Sequence, residues 1–122
     1  MKTILAVLFI VVTIFFAFEN TYAALPTQCP SNLKEAKDYQ WDSLSSCTPL
    51  QKDNQYQLFK ATILSLGNDN ITCFLLRTDG QMSCLTKSSA SIKPATKYWS
   101  HIPPAWVCQS PNLASDCQFQ MS

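Results

Sequence analysis

The chain has 122 residues with nine basic and eight acidic side chains, and a formal net charge of +1 supplies no field for gathering nucleic acid or an anionic membrane. Its six cysteines contain no C-x-x-C pair and stand beside a single histidine, which argues against a zinc site and against dithiol redox catalysis. Two glycines are too few for a phosphate-cradling loop, and no cofactor motif is present.

Lys2 precedes an apolar run over residues 4–18, followed by the polar Glu19, Asn20 and Thr21. That run is shorter than the roughly twenty residues a bilayer span needs. Thr21 and Ala23 are small residues at the two positions a signal peptidase reads. Residues 1–23 are therefore expected to be a removed signal peptide. Residues 24–122 are expected to form a single secreted, disulfide-bonded extracellular domain with no membrane span. A domain of that size buries a real core. An even cysteine number predicts three intramolecular bridges among Cys29, Cys47, Cys73, Cys84, Cys108 and Cys117, for which fifteen pairings exist. Each bridge is typically worth about 2–4 kcal/mol.

Asn32 with Glu35 three residues on reads as a capped helix start. Leu33, Ala36, Gln40 and Leu44, with Tyr39 beside them, extend a helical stripe over residues 33–44. Such a helix is about 18 Å long, so Cys29 and Cys47 at its two ends are expected to bridge elsewhere rather than to each other. Residues 56–66 then read as a strand, residues 67–70 as a turn, and residues 71–77 as a second strand buried on both faces. Asp79-Gly80 signals a hairpin into a third strand over residues 81–86. A two-residue loop there makes Cys73 and Cys84 diagonal neighbours, whereas a four-residue loop sets them directly opposite, at bridging distance. Residues 86–96 read as an exposed loop. Residues 98–101 and 105–109 read as short strands separated by Ile102-Pro103-Pro104, whose prolines keep the middle of that segment out of a central ladder. Residues 110–122 read as an irregular tail tethered by Cys117. The fold class is α+β: one N-terminal helix followed by a small antiparallel β-meander, stabilised by disulfides. In architecture alone this is similar to cystatin-like inhibitors and small secreted ribonuclease-like domains, but the Q-x-V-x-G loop of the former and the catalytic set of the latter are missing.

Catalysis is constrained by scarcity. After the leader, His101, Glu35 and Arg77 are each the only residue of their type, and no G-x-S-x-G or H-E-x-x-H motif occurs. The expectation is a protein that is not an enzyme. Between Gly80 and Ser115 there is no acid, while Lys87, Lys93 and Lys97 lie there with His101. Lys97-Tyr98-Trp99-Ser100-His101-Ile102-Pro103-Pro104 joins stiff aromatic residues to this basic stretch, and aromatic side chains dominate binding hot spots. Lys87, Lys93, Lys97, Tyr98, Trp99 and His101 form the predicted binding surface. Trp99 is equally readable as core, and Trp106 reads as packing over the bridge of Cys108. Asn70-Ile71-Thr72 is an N-glycosylation sequon, so the chain is expected to be a glycoprotein. The leading expectation is a monomeric binder of an extracellular protein or glycan, of the venom toxin, saliva, effector or reproductive-fluid type. The alternatives are a carrier of a small apolar ligand held between helix and sheet, or a small hydrolase or nuclease using His101.

Overall fold

The computed structural model describes residues 25–122, and the expected leader at residues 1–23 lies outside them. Helix α1 covers Leu33–Asp38. Asn32 is extended, and its side-chain oxygen accepts the Glu35 N–H at 2.8 Å. The Glu35 carboxylate reaches back to accept the Ser31 N–H at 3.0 Å, one residue earlier than a capping box requires.

The helix stops far short of residue 44. Gln40 adopts a left-handed conformation with φ 57°. The Trp41 N–H bonds to the Ala36 carbonyl at 2.8 Å and the Gln40 N–H to the Lys37 carbonyl at 3.1 Å. These two bonds make a Schellman stop. It turns Trp41 into the core, edge-to-face on Phe119 with ring centroids 6.2 Å apart. Burying that indole favours the stop over a longer, largely exposed helix.

Among the described residues the eight strands are β1 (Asp42–Ser43), β2 (Gln57–Leu66), β3 (Asn68–Leu76), β4 (Met82–Ser89), β5 (Ile92–Pro94), β6 (Ser100–Ile102), β7 (Ala105–Gln109) and β8 (Phe119–Met121). Six of them form an antiparallel sheet in the order β1-β4-β3-β2-β7-β6, and β5 pairs with β8 in a second, two-stranded sheet. The described residues are thus mostly antiparallel β-sheet with one short helix and three disulfides, which bears out the α+β expectation in part.

Two local irregularities set which side chains share a face. In β2 the pairing with β3 shifts between Leu58 and Lys60, leaving Phe59 as a bulge. Buried positions in β2 therefore switch from even (Leu58) to odd (Ala61, Ile63). The β3–β4 turn adopts neither expected loop. Leu76 pairs with Met82, the Arg77 N–H donates to the Gln81 carbonyl at 2.9 Å, and Gly80 takes φ 86°. That is a three-residue loop with a left-handed glycine. It offsets the register by one residue from both alternatives and puts Cys73 and Cys84 on opposite faces of the sheet. The Cys73–Cys84 bridge is thereby ruled out. The bridges are Cys29–Cys73, Cys47–Cys84 and Cys108–Cys117. Cys29 and Cys47 do reach separate partners.

One face of the main sheet presents Leu58, Ala61, Ile63, Ile71, Cys73, Leu75, Leu85 and Cys108 to the core. A covering layer supplies Cys29, Ala36, Trp41, Ile92, Trp99, Cys117 and Phe119 to the same cluster. Two bridges, Cys29–Cys73 and Cys108–Cys117, join this layer to the sheet. Residues 86–96, expected as an exposed loop, instead continue β4 to Ser89 and then form β5, whose Ile92 is core. The tail is likewise more regular than expected: Ala114–Cys117 is a 3-10 turn and β8 follows it. The tail's pairing with β5 decides both, a contact between segments some 27 residues apart (for example Lys93 with Gln120) that local patterning does not announce.

Candidate binding surface

Strands β6 and β7 form a hairpin turning at Pro103-Pro104, with Ile102 paired to Ala105, His101 to Trp106 and Ser100 to Val107. It adds to β2 through β7, so β6 is an edge of the sheet. The prolines sit in the turn, where no ladder N–H is needed. Trp106 is paired with Ile63 and belongs to the covered side. The covering layer does not reach this margin, and Trp106 keeps 37% of its surface exposed. The His101 ring stacks on it with centroids 4.5 Å apart and planes 23° from parallel. The next open side chains are Tyr98, 53% exposed, and Ile102, 59% exposed. The Lys97 ammonium lies 5.5 Å from the Tyr98 ring centroid, within cation–π range.

Of the six predicted surface residues, Lys93, Lys97, Tyr98 and His101 face solvent. Trp99 does not. It is 6% exposed, lies in the core cluster, and its indole N–H donates to the Gln118 carbonyl at 2.8 Å. Its role is to anchor the segment that presents Tyr98 and His101. Lys87 is also engaged elsewhere, donating to the Tyr39 carbonyl at 2.8 Å. Lys87 and His101 stand at opposite ends of one cross-strand row, Lys87–Ile71–Ile63–Trp106–His101. Four strand spacings put them about 19 Å apart. The basic stretch is therefore divided, and Lys87 serves as a cation at the end of α1. Ile102 is a surface residue that sequence reasoning passed over, and Trp106, expected to pack over the bridge of Cys108, is instead partly exposed beneath His101. Their signal was the diproline, which marks an edge hairpin whose outer side chains lack a neighbouring strand.

The residues considered for catalysis are dispersed. Glu35 is held in the helix cap. Arg77 pairs with Asp79 in the β3–β4 turn, which raises the guanidinium's pKa and lowers that of the Asp79 carboxyl. His101 stacks in the edge hairpin. The other displaced group is Asp69, whose carboxyl is held below its usual range chiefly by the Ile92 N–H at 2.9 Å, with Ser65 assisting. That bond ties β3 to the covering layer.

Among the described residues, no group of three or more His, Cys, Asp or Glu side chains is placed to hold a metal ion, and no helix is long and apolar enough to cross a membrane. A hollow of about 490 Å³ lies at the surface between α1 and residues 52–55, lined by Asn32, Lys34, Lys37, Asp53 and their neighbours. Its lining is mixed and carries several charges. The sequon residue Asn70 is half-buried on β3, on the face away from the core. No protein-family model, curated protein or solved structure matches this chain.

Proposed function

We propose that this chain is exported and acts by binding an extracellular macromolecule through the β6–β7 hairpin and the Lys97-Tyr98 segment that precedes it. The observation carrying the reading is the exposed His101–Trp106 stack at 4.5 Å. An indole left at a sheet margin and braced by a second ring has lost much of the freedom that docking would otherwise remove. Tyr98, and Ile102 on the other face of the hairpin, leave further apolar surface exposed at this edge, while Lys93 and Lys97, in a stretch without acids, favour an acidic protein or glycan surface. Three disulfides fit a small, stabilised extracellular protein. The reading is of a binder rather than an enzyme, because the side chains with catalytic potential are held apart and occupied.

The test compares the secreted protein with Trp106→Ala and Lys97→Ala as affinity baits in the extracellular fluid of the producing tissue. Near-UV circular dichroism establishes that each variant is folded. A hot-spot indole is worth at least about 2 kcal/mol, so Trp106→Ala is expected to weaken capture of the partner roughly thirtyfold. Lys97→Ala is expected to act chiefly at low salt. Undiminished capture by both variants removes this surface from consideration.

A further inference from the structure

The sheet face turned away from the core holds a motif that the hairpin surface leaves unused. In Asn70-Ile71-Thr72 the central Ile71 is fully buried, so its two neighbours point to the opposite, open face. Asn70 Oδ1 accepts the Ser88 hydroxyl, while its Nδ2 meets only the Asn68 carbonyl at 3.4 Å. The nitrogen that takes a sugar is thus the less firmly held end of the amide. Leu64 sits directly opposite Asn70 on β2, and the same cross-strand row continues through Ala105 to Ile102. Leu66, one step along β2, is 70% exposed. With adjacent strands about 4.8 Å apart, Leu64 lies within contact of a first sugar on Asn70. A sequon and an uncovered apolar strip occupy the same side of the sheet, side by side.

We infer that Asn70 carries an N-linked glycan whose first sugars lie along the Leu64–Ala105 side of the open face and screen it from association with a second copy. This rests on the export proposed above. In the transfer, Asn70 Nδ2 forms a bond to the anomeric carbon of a lipid-diphosphate-linked oligosaccharide. The carbon–oxygen bond to the diphosphate breaks, the lipid diphosphate leaves with the electron pair, and the amide loses one proton. The attachment precedes folding, and the register of β3 then determines that the sugar faces outward. The C–H faces of the sugar rings rest on the Leu64 side chain and the Thr72 methyl group.

The full chain is expressed in a glycosylating secretory host, and the released protein is weighed before and after an amidase that removes N-glycans. The expected result is loss of one glycan mass with aspartate left at position 70, no glycan on Asn70→Gln or Thr72→Ala, and a retained glycan on Thr72→Ser. Isotope-filtered NMR is then expected to show contacts from the first sugar to the Leu64 and Thr72 methyls, and the amidase-treated protein is expected to self-associate on light scattering. A chain retained in the cell with its leader attached overturns the export reading and the inference together. A released chain with no mass change overturns the inference alone, as does a glycan without contacts to Leu64 or without effect on association.

Discussion

The two faces of the main sheet are built from alternate residues of the same strands, yet they are finished differently. The covered face uses Ile63, Ile71, Cys73 and Leu75, and two disulfides hold a second layer against it. The open face carries Thr62, Thr72 and Thr86 in one cross-strand row, with Leu64 and Asn70 in the next. Only Cys47–Cys84 ties it to a neighbouring segment. The contrast separates two tasks. Apolar burial and covalent ties concentrate on one side, which leaves the other side and the sheet edge free to vary without threatening the fold.

The strongest way to break this contrast is to cut the ties. Replacing Cys29 and Cys73 with alanine is expected to cost about 4 kcal/mol from chain entropy alone, given their separation of 44 residues. Removing Cys47–Cys84 opens a similar span of 37 residues. It is expected to cost less in total, because Cys29 and Cys73 are both fully buried whereas Cys47 is not. Urea midpoints of the two double variants decide the order.

Neighbouring residues on β3 give a sharper comparison. Ile71→Ala is expected to lose about 3 kcal/mol through cavity formation, and Thr72→Ala under about 1 kcal/mol. Equal losses in chemical denaturation would mean that the open face is covered in solution.

A smaller effect concerns the hydrogen bond between the faces' margin and the second layer. Asp69→Ala frees the Ile92 N–H and is expected to cost about 1–2 kcal/mol near neutral pH. The wild-type carboxyl has a lowered pKa in the folded state. Its contribution is therefore complete above the unfolded carboxylate value of about 3.9 and lost as pH falls through the lower folded value. Melting temperatures measured across the acid range should fall less steeply for Asp69→Ala than for the wild type.

The smallest expected change is a gain. Gln40 holds a left-handed conformation that glycine adopts without steric cost. Gln40→Gly is expected to stabilise the protein by about 0.5 kcal/mol after glycine's extra unfolded-state freedom is counted, read as a shift in denaturation midpoint.

Local chemistry was legible. Asn32 and Glu35 announce the helix start because capping bonds run between near neighbours. Asp79-Gly80 announces its turn because Gly80 accepts a left-handed conformation. The two candidate loops nevertheless missed the pairing by one residue, since Asp-Gly is compatible with loops of more than one length. That single step separates Cys73 and Cys84. The surface was partly visible: Tyr98, His101 and the lysines stood out by type. The exchange of roles between Trp99 and Trp106 did not, because it depends on where the covering layer ends.

From its residues alone the chain specifies an even set of cysteines, a capped first turn, a sheet-rich middle and an aromatic, acid-free stretch next to a diproline. Each of these follows from interactions within a few positions along the backbone. The folded molecule decided the disulfide pairing, the core role of Ile92 and Phe119, the exposed face of Asn70 and the outward edge at Trp106. Those outcomes turn on strand parity, and a one-residue bulge at Phe59 or one extra residue in a hairpin loop reverses parity for every side chain beyond it.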